Sequence, residues 1–125
     1  MRHSFTRIIQ ALSSIDPVTA GPLDAGSLED GITAYWAGDF AEALRILRPI
    51  AEQGNAYTHT VLGNMCEYGQ GVEQDNVLAH MWFSLAAAQG DTYGATWRDA
   101  VAEKMTPGQI AEGQKLAGEW LAAHP

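Results

Sequence analysis

From Leu28 onward the chain reads as apolar residues at helical spacing, broken at short intervals by Gly, Asn, Asp and Pro. The spacing predicts a first helix from Leu28 to about Trp36, closed by Gly38-Asp39. Asp39 then caps a second helix from Phe40 to about Gln53, whose Phe40, Ala43, Leu44, Leu47, Ile50 and Ala51 fall on one side. Pro49 lies inside it and is expected to kink the final turn, because it removes a backbone donor. Beyond Gly54-Asn55 a third helix is predicted for about Ala56 to Tyr68. A fourth follows from Asn76 to Gln89 behind the cap Asp75, burying Leu78, Ala79, Trp82, Phe83 and Ala86. A fifth is expected over Thr92 to Met105. Thr106-Pro107-Gly108-Gln109 then supplies a cap, a proline at the first helical position and a capping-box glutamine for a sixth helix to about Ala123, with Ile110, Ala117, Trp120 and Leu121 on one face. Nothing alternates with the period of two that a strand requires.

The pattern repeats. Shifted by 36 residues, Asp39, Ala43, Ala51, Gln53 and Gly54 fall on Asp75, Ala79, Ala87, Gln89 and Gly90. One helix pair cannot bury its own apolar face, so a period of this length means stacked pairs covering one another. The expected fold is all-α, a superhelical solenoid of about three antiparallel pairs, with the last pair as its cap. Gly31 and Gly63 stand inside predicted helices, where glycine costs about 1 kcal/mol relative to alanine. Close approach of a neighbouring helix is the expected compensation. The second pair has a longer connection, Gly69 to Gln74, whose glycines permit unusual backbone angles and whose Val72 can tuck back as a plug.

The segment L-G-N-M-C-E-Y-G-Q-G-V-E-Q-D at 62–75, followed by A-H-M-W-F-S-L-A-A-A-Q-G-D at 79–91, resembles the Sel-one-like (Sel1-like) repeat, the longer-looped relative of the tetratricopeptide repeat. Leu62, Gly63, Gly69, Gly71, Val72, Asp75, Ala79, Trp82, Ala86, Ala87 and Gly90 occupy its signature places, and Cys66 stands where a tyrosine is usual. The preceding unit, A-Y-W-A-G-D-F-A-E-A-L at 34–44, is closer to an ordinary tetratricopeptide repeat. The tail from Arg98 to Trp120 is similar to the closing segment of short bacterial members. The resemblance covers about residues 28–123. It implies an α/α superhelix that binds proteins or peptides and carries no catalytic residues of its own; no metal or cofactor is expected.

The first helix of each pair lines the inner surface of such a superhelix. Carried onto this chain, that puts Ile32, Tyr35 and Trp36 there from the first unit, and Tyr57, Thr60, Asn64, Glu67 and Tyr68 from the second. Tyrosine and tryptophan bury area while keeping a polar tip, which suits peptide recognition. The alternative is that the N-terminal arm lies over them. Trp82 and Phe83, amid apolar neighbours, are expected in the core.

Composition narrows the function. The 125 residues suffice for one core without disulfide or metal staples, and the single Cys66 has no internal partner. Fifteen acidic against seven basic residues, a formal charge of -8, disfavour nucleic acid and anionic lipid, which need clustered Lys and Arg. Residues 1–27 differ from the rest. Arg2 and Arg7 precede an apolar stretch from Ile8 to Ile15, and Val18-Thr19-Ala20 resembles an export cleavage site, but Gln10, Ser13 and Ser14 interrupt it. The segment is an arm or a degenerate signal-like stretch, with a linker over Asp16 to Gly26; residues 28–125 form the repeat domain. The arm reading favours the cytoplasm, and a functioning signal in residues 1–20 means the periplasm. No run reaches the ~18 apolar residues of a membrane-spanning helix.

Candidate chemistry is sparse. His59 and Cys66 are seven apart on the predicted third helix and His80 is on the helix beside it, a set of zinc-type ligand residues without the tight spacing of a structural site. Gly-Gln-Gly-Val at 69–72 lacks the Lys-Ser or Lys-Thr of a phosphate loop. The expected function is a non-catalytic interaction module gripping a protein or peptide. The alternative is an accessory subunit that self-associates through its repeat ends.

Overall fold

The structure, a computed structural model, describes residues 26–125; the N-terminal arm, the signal-like stretch and nearly all of the linker lie outside them. Among the described residues six helices follow in order: α1 (Leu28–Trp36), α2 (Phe40–Glu52), α3 (Ala56–Tyr68), α4 (Asn76–Ala88), α5 (Thr92–Ala102) and α6 (Pro107–Ala123). There is no strand among the described residues.

Each helix starts where a side chain can satisfy its free N–H groups. Ser27 and Thr106 form reciprocal capping boxes with Asp30 and Gln109, and Asp39, Asn55, Asp75 and Asp91 each accept from the first turn they precede. Such a cap is worth about 1 kcal/mol. Pro49 sits within α2, and the helix runs on through it to Glu52. The fifth helix stops earlier than its apolar spacing suggests, at Ala102, and Glu103 to Met105 turn the chain toward the Thr106 cap.

The repeat reappears as geometry. Gly54 and Gly90, equivalent under the 36-residue shift, both adopt positive φ, +88° and +89°, and end α2 and α4 with the same three-residue turn. The longer connection between α3 and α4 folds back. Gly71 (φ +78°) comes so near α2 that an added Cβ would lie 2.9 Å from the Phe40 Cβ, and Val72 packs against the core.

Helix α3 packs most extensively against α4, and α1 packs against α2. The interior glycines are the reason the axes come close: a Cβ on Gly31 would stand 2.6 Å from the Leu47 Cδ2, and one on Gly63 would stand 2.3 Å from the Phe83 ring. Both contacts are below any tolerable van der Waals separation. The core runs continuously from Leu44 and Leu47 through Leu62, Met65, Trp82 and Phe83 to Val101, Leu116 and Trp120. Trp82 and Phe83 are buried as expected.

The third pair departs from the simple picture. Helices α5 and α6 both pack on α4 rather than closely on each other. The sixth helix does cap the stack, through Gly113, Leu116, Ala117 and Trp120, but Leu121 is 46% exposed, not part of the covered face. Instead it edges a furrow between α5 and α6, floored by His80 and Ser84 of α4. Gly113, opposite His80, is what lets α6 settle on α4.

Candidate functional site

Helices α1, α3 and α5, the first members of the three pairs, bring their side chains together in one groove of about 190 Å³. Tyr35 and Trp36 come from the last turn of α1; Tyr57, Thr60, Val61 and Asn64 from the start and middle of α3; Asp91, Tyr93 and Trp97 from the cap and first turns of α5. Five of the eight residues expected on the inner surface, Tyr35, Trp36, Tyr57, Thr60 and Asn64, therefore meet here.

The walls are paired aromatics. Tyr35 and Trp36 meet edge to face at 5.2 Å, and Tyr93 and Trp97 lie tilted at 5.9 Å. Trp36 is 75% and Tyr93 68% exposed, unusually open for such large rings. Trp97 is anchored from behind by Phe83 at 6.0 Å, so this wall is continuous with the core. The Tyr35 hydroxyl donates to Gln70 Oε1 at 3.1 Å; burial, aided by the neighbouring Tyr68 phenol, raises its pKa, so it is a neutral donor at physiological pH. At the junction of α3 and α5, Asp91 Oδ1 accepts from the Tyr93 and Gly94 amides while Oδ2 accepts from the Thr60 hydroxyl at 3.0 Å. One carboxylate thus caps α5, ties it to α3 and faces the groove.

Three expected inner-surface residues are used differently. Ile32 packs against the core and lies away from the groove lining. Glu67 is engaged within the chain: Lys104 Nζ donates to its Oε2 at 2.7 Å, and that hydrogen bond raises the Lys104 pKa. The same ammonium sits 5.9 Å from the Tyr68 ring centroid. Lys104 lies two residues beyond the end of α5, so its reach back to the end of α3 could not be read from local spacing.

The α5 contribution, Asp91, Tyr93 and Trp97, was not among the residues expected from the sequence. A signal for it existed. The 36-residue shift carries Asn55, Tyr57 and Val61 onto Asp91, Tyr93 and Trp97. The third pair therefore serves both as cap and as a wall of the groove.

The zinc-type trio is held apart and inside. His59 is fully buried, its Nε2 on the Ala51 carbonyl oxygen at 3.0 Å and its Nδ1 near Gln89 Nε2 at 3.2 Å, with Trp82 and Trp120 against the ring. This geometry makes Nε2 the donor and Nδ1 the acceptor, and burial lowers the ring's pKa. His80 lies beneath α6, its Nδ1 3.4 Å from the Ser84 hydroxyl, and is likewise lowered by burial. Burial, with the Asp75 charge adding to it, pushes the Cys66 thiol up to about 12, the reverse of an activated nucleophile. No group of three His, Cys, Asp or Glu residues among the described residues is placed to hold a metal ion. No helix among them is long and apolar enough to cross a membrane.

Comparison with known proteins agrees with this architecture. The Sel1 repeat family matches residues 57–91, the span of α3, the long connection, α4 and the turn beyond it. A solved structure described as a protective antigen present in uropathogenic Escherichia coli strains, displaying an SLR fold, is similar over 78% of this chain at 28% identity, with a TM-score of 0.71. The chain spans about a fifth of that protein's length, 22%. No curated protein matches.

Proposed function

We propose that this Sel1-like repeat protein is a non-catalytic interaction module that receives an extended peptide segment of a partner protein in the groove across α1, α3 and α5. The observation that carries the reading is the convergence of Tyr35, Trp36, Tyr57, Tyr93 and Trp97 from three helices on one open cleft, while His59, Cys66 and His80 are inside. Exposed aromatic rings on rigid helices bind with little entropy to lose. At about 190 Å³ the groove is below the ~300–1,000 Å³ of usual small-molecule sites and suits one or two side chains of a longer ligand. Selection of peptides from a random display library on the full chain tests this. Enriched peptides should lose binding to Trp36→Ala and Tyr57→Ala proteins whose melting is unchanged; equal binding to these variants overturns the assignment.

A second reading, an accessory subunit that self-associates through its repeat end, draws on the furrow between α5 and α6, where Leu121 is left exposed. A second copy covering that furrow would give a dimer by sedimentation velocity that Leu121→Glu dissolves. A concentration-independent monomer removes this reading.

A further inference from the structure

The groove has a chemical preference as well as a shape. We infer that it selects a cationic side chain, a lysine or arginine on the bound segment; this rests on the peptide-groove reading above and adds to it what the groove recognises.

Five observations lead there. Rings from Tyr35, Trp36, Tyr57, Tyr93 and Trp97 surround the cleft, and the face of an aromatic ring attracts a cation through its quadrupole. Asp91 supplies a formal negative charge among them. Its Oδ1 is taken by two amides, but Oδ2 accepts only the Thr60 hydroxyl among the hydrogen bonds described, leaving acceptor capacity beside the rings. Among the described residues, no lysine, arginine or histidine lines the groove to compete for the carboxylate or to welcome an acidic ligand. The chain carries a formal charge of -8, which draws a basic segment in and repels an acidic one. Nearby, on the ends of α3 and α5, the protein already seats one of its own cations by the same means: Lys104 lies over Tyr68 and pairs with Glu67. The groove repeats that combination of ring and carboxylate with no cation from the described residues in it.

The test is an NMR titration of the full chain with four blocked glycine pentapeptides that differ only in the central residue: lysine, arginine, norleucine or glutamate. The indole N–H signals of Trp36 and Trp97, assigned by substitution, report on the groove directly. The lysine and arginine peptides should shift both signals and bind roughly two- to fivefold or more tightly than norleucine, which matches the lysine chain without its charge. The glutamate peptide should bind least, and added salt should narrow the gaps. Asp91→Asn keeps a good helix cap and removes the charge, so in that variant the ratio of lysine to norleucine affinity should shrink toward one. Equal binding of lysine and norleucine overturns the cation preference and leaves the groove as a peptide site. Stronger binding of glutamate also overturns it. Silence of both indoles toward all four peptides overturns the preference and counts against the peptide-groove reading itself.

Discussion

Replacing Gly63 by alanine is the sharpest test of how these helices pack. In an isolated helix the change is favourable by about 1 kcal/mol, because alanine restricts the unfolded chain and suits the helix. Here the new methyl would stand 2.3, 2.5 and 3.0 Å from Cε1, Cδ1 and Cζ of Phe83. Ordinary carbon contacts are about 3.5–4.0 Å, so ring and methyl must separate by more than about 1 Å. Phe83 is fully buried and braced by Trp97, which leaves the ring little room to retreat. Overpacking of this kind costs about 1–3 kcal/mol, and a buried ring held against a fixed backbone belongs at the upper end. After the helix gain is subtracted, a net loss of about 1–2 kcal/mol remains, or a Tm lower by roughly 3–12 °C. Urea and thermal unfolding followed by circular dichroism measure it. A double-mutant cycle identifies the cause: Phe83→Leu should absorb the methyl, so the double variant should be less destabilised than the sum of the singles by at least about 0.5 kcal/mol. A Gly63→Ala protein as stable as the wild type, or additivity in the cycle, would refute the contact. The same push on Phe83 is transmitted to Trp97, so peptide affinity should weaken along with stability.

Three other outcomes are expected. Gly113→Ala should destabilise by about 1 kcal/mol, since its Cβ would meet His80 Nδ1 at 2.8 Å, whereas Gly118→Ala, with nothing within 4 Å, should stabilise by about 0.5–1 kcal/mol; unfolding midpoints that fail to separate the two would contradict the seating of α6 on α4. Burial lowers the folded-state pKa values of His59 and His80, so the unfolded chain takes up these protons first. The stability they contribute is complete above about pH 6.5 and declines as pH falls from there toward the folded-state values; urea midpoints between about pH 7.5 and about pH 5.5 should drop, less so in His59→Gln, and constant midpoints would contradict it. Cys66, buried with its thiol raised to about 12, should resist thiol reagents at neutral pH until the protein unfolds, and prompt labelling of the native protein would show that α3 opens locally.

The inner surface shows how far position in a repeat can carry a functional reading. Tyr35, Trp36, Tyr57, Thr60 and Asn64 were legible because equivalent positions on successive first helices must face the same way once the pairs stack. Glu67 and Tyr68 have equivalent positions too, but Lys104, thirty-seven residues beyond Glu67, reaches them only after α5 has docked. Ile32 turned inward because Gly31 beside it lets α1 sink onto α2. Asp91, Tyr93 and Trp97 were hidden in plain view, since the unit holding them reads first as an end cap.

Local chemistry and periodicity by themselves determined the helices, their caps and the repeat. These depend on side chains within one turn of the backbone they bond, and on a 36-residue recurrence that any stacked fold must honour. Only the tertiary structure decided that α5 and α6 both rest on α4 and not closely on each other, that Leu121 is left outside, and that three helices close an aromatic groove around Asp91. Those outcomes turn on distances of an ångström or two between surfaces far apart in the chain, such as Gly113 against His80 and Thr60 against Asp91. The apolar spacing of a single helix specifies which face it buries, but not which neighbour covers that face or how closely.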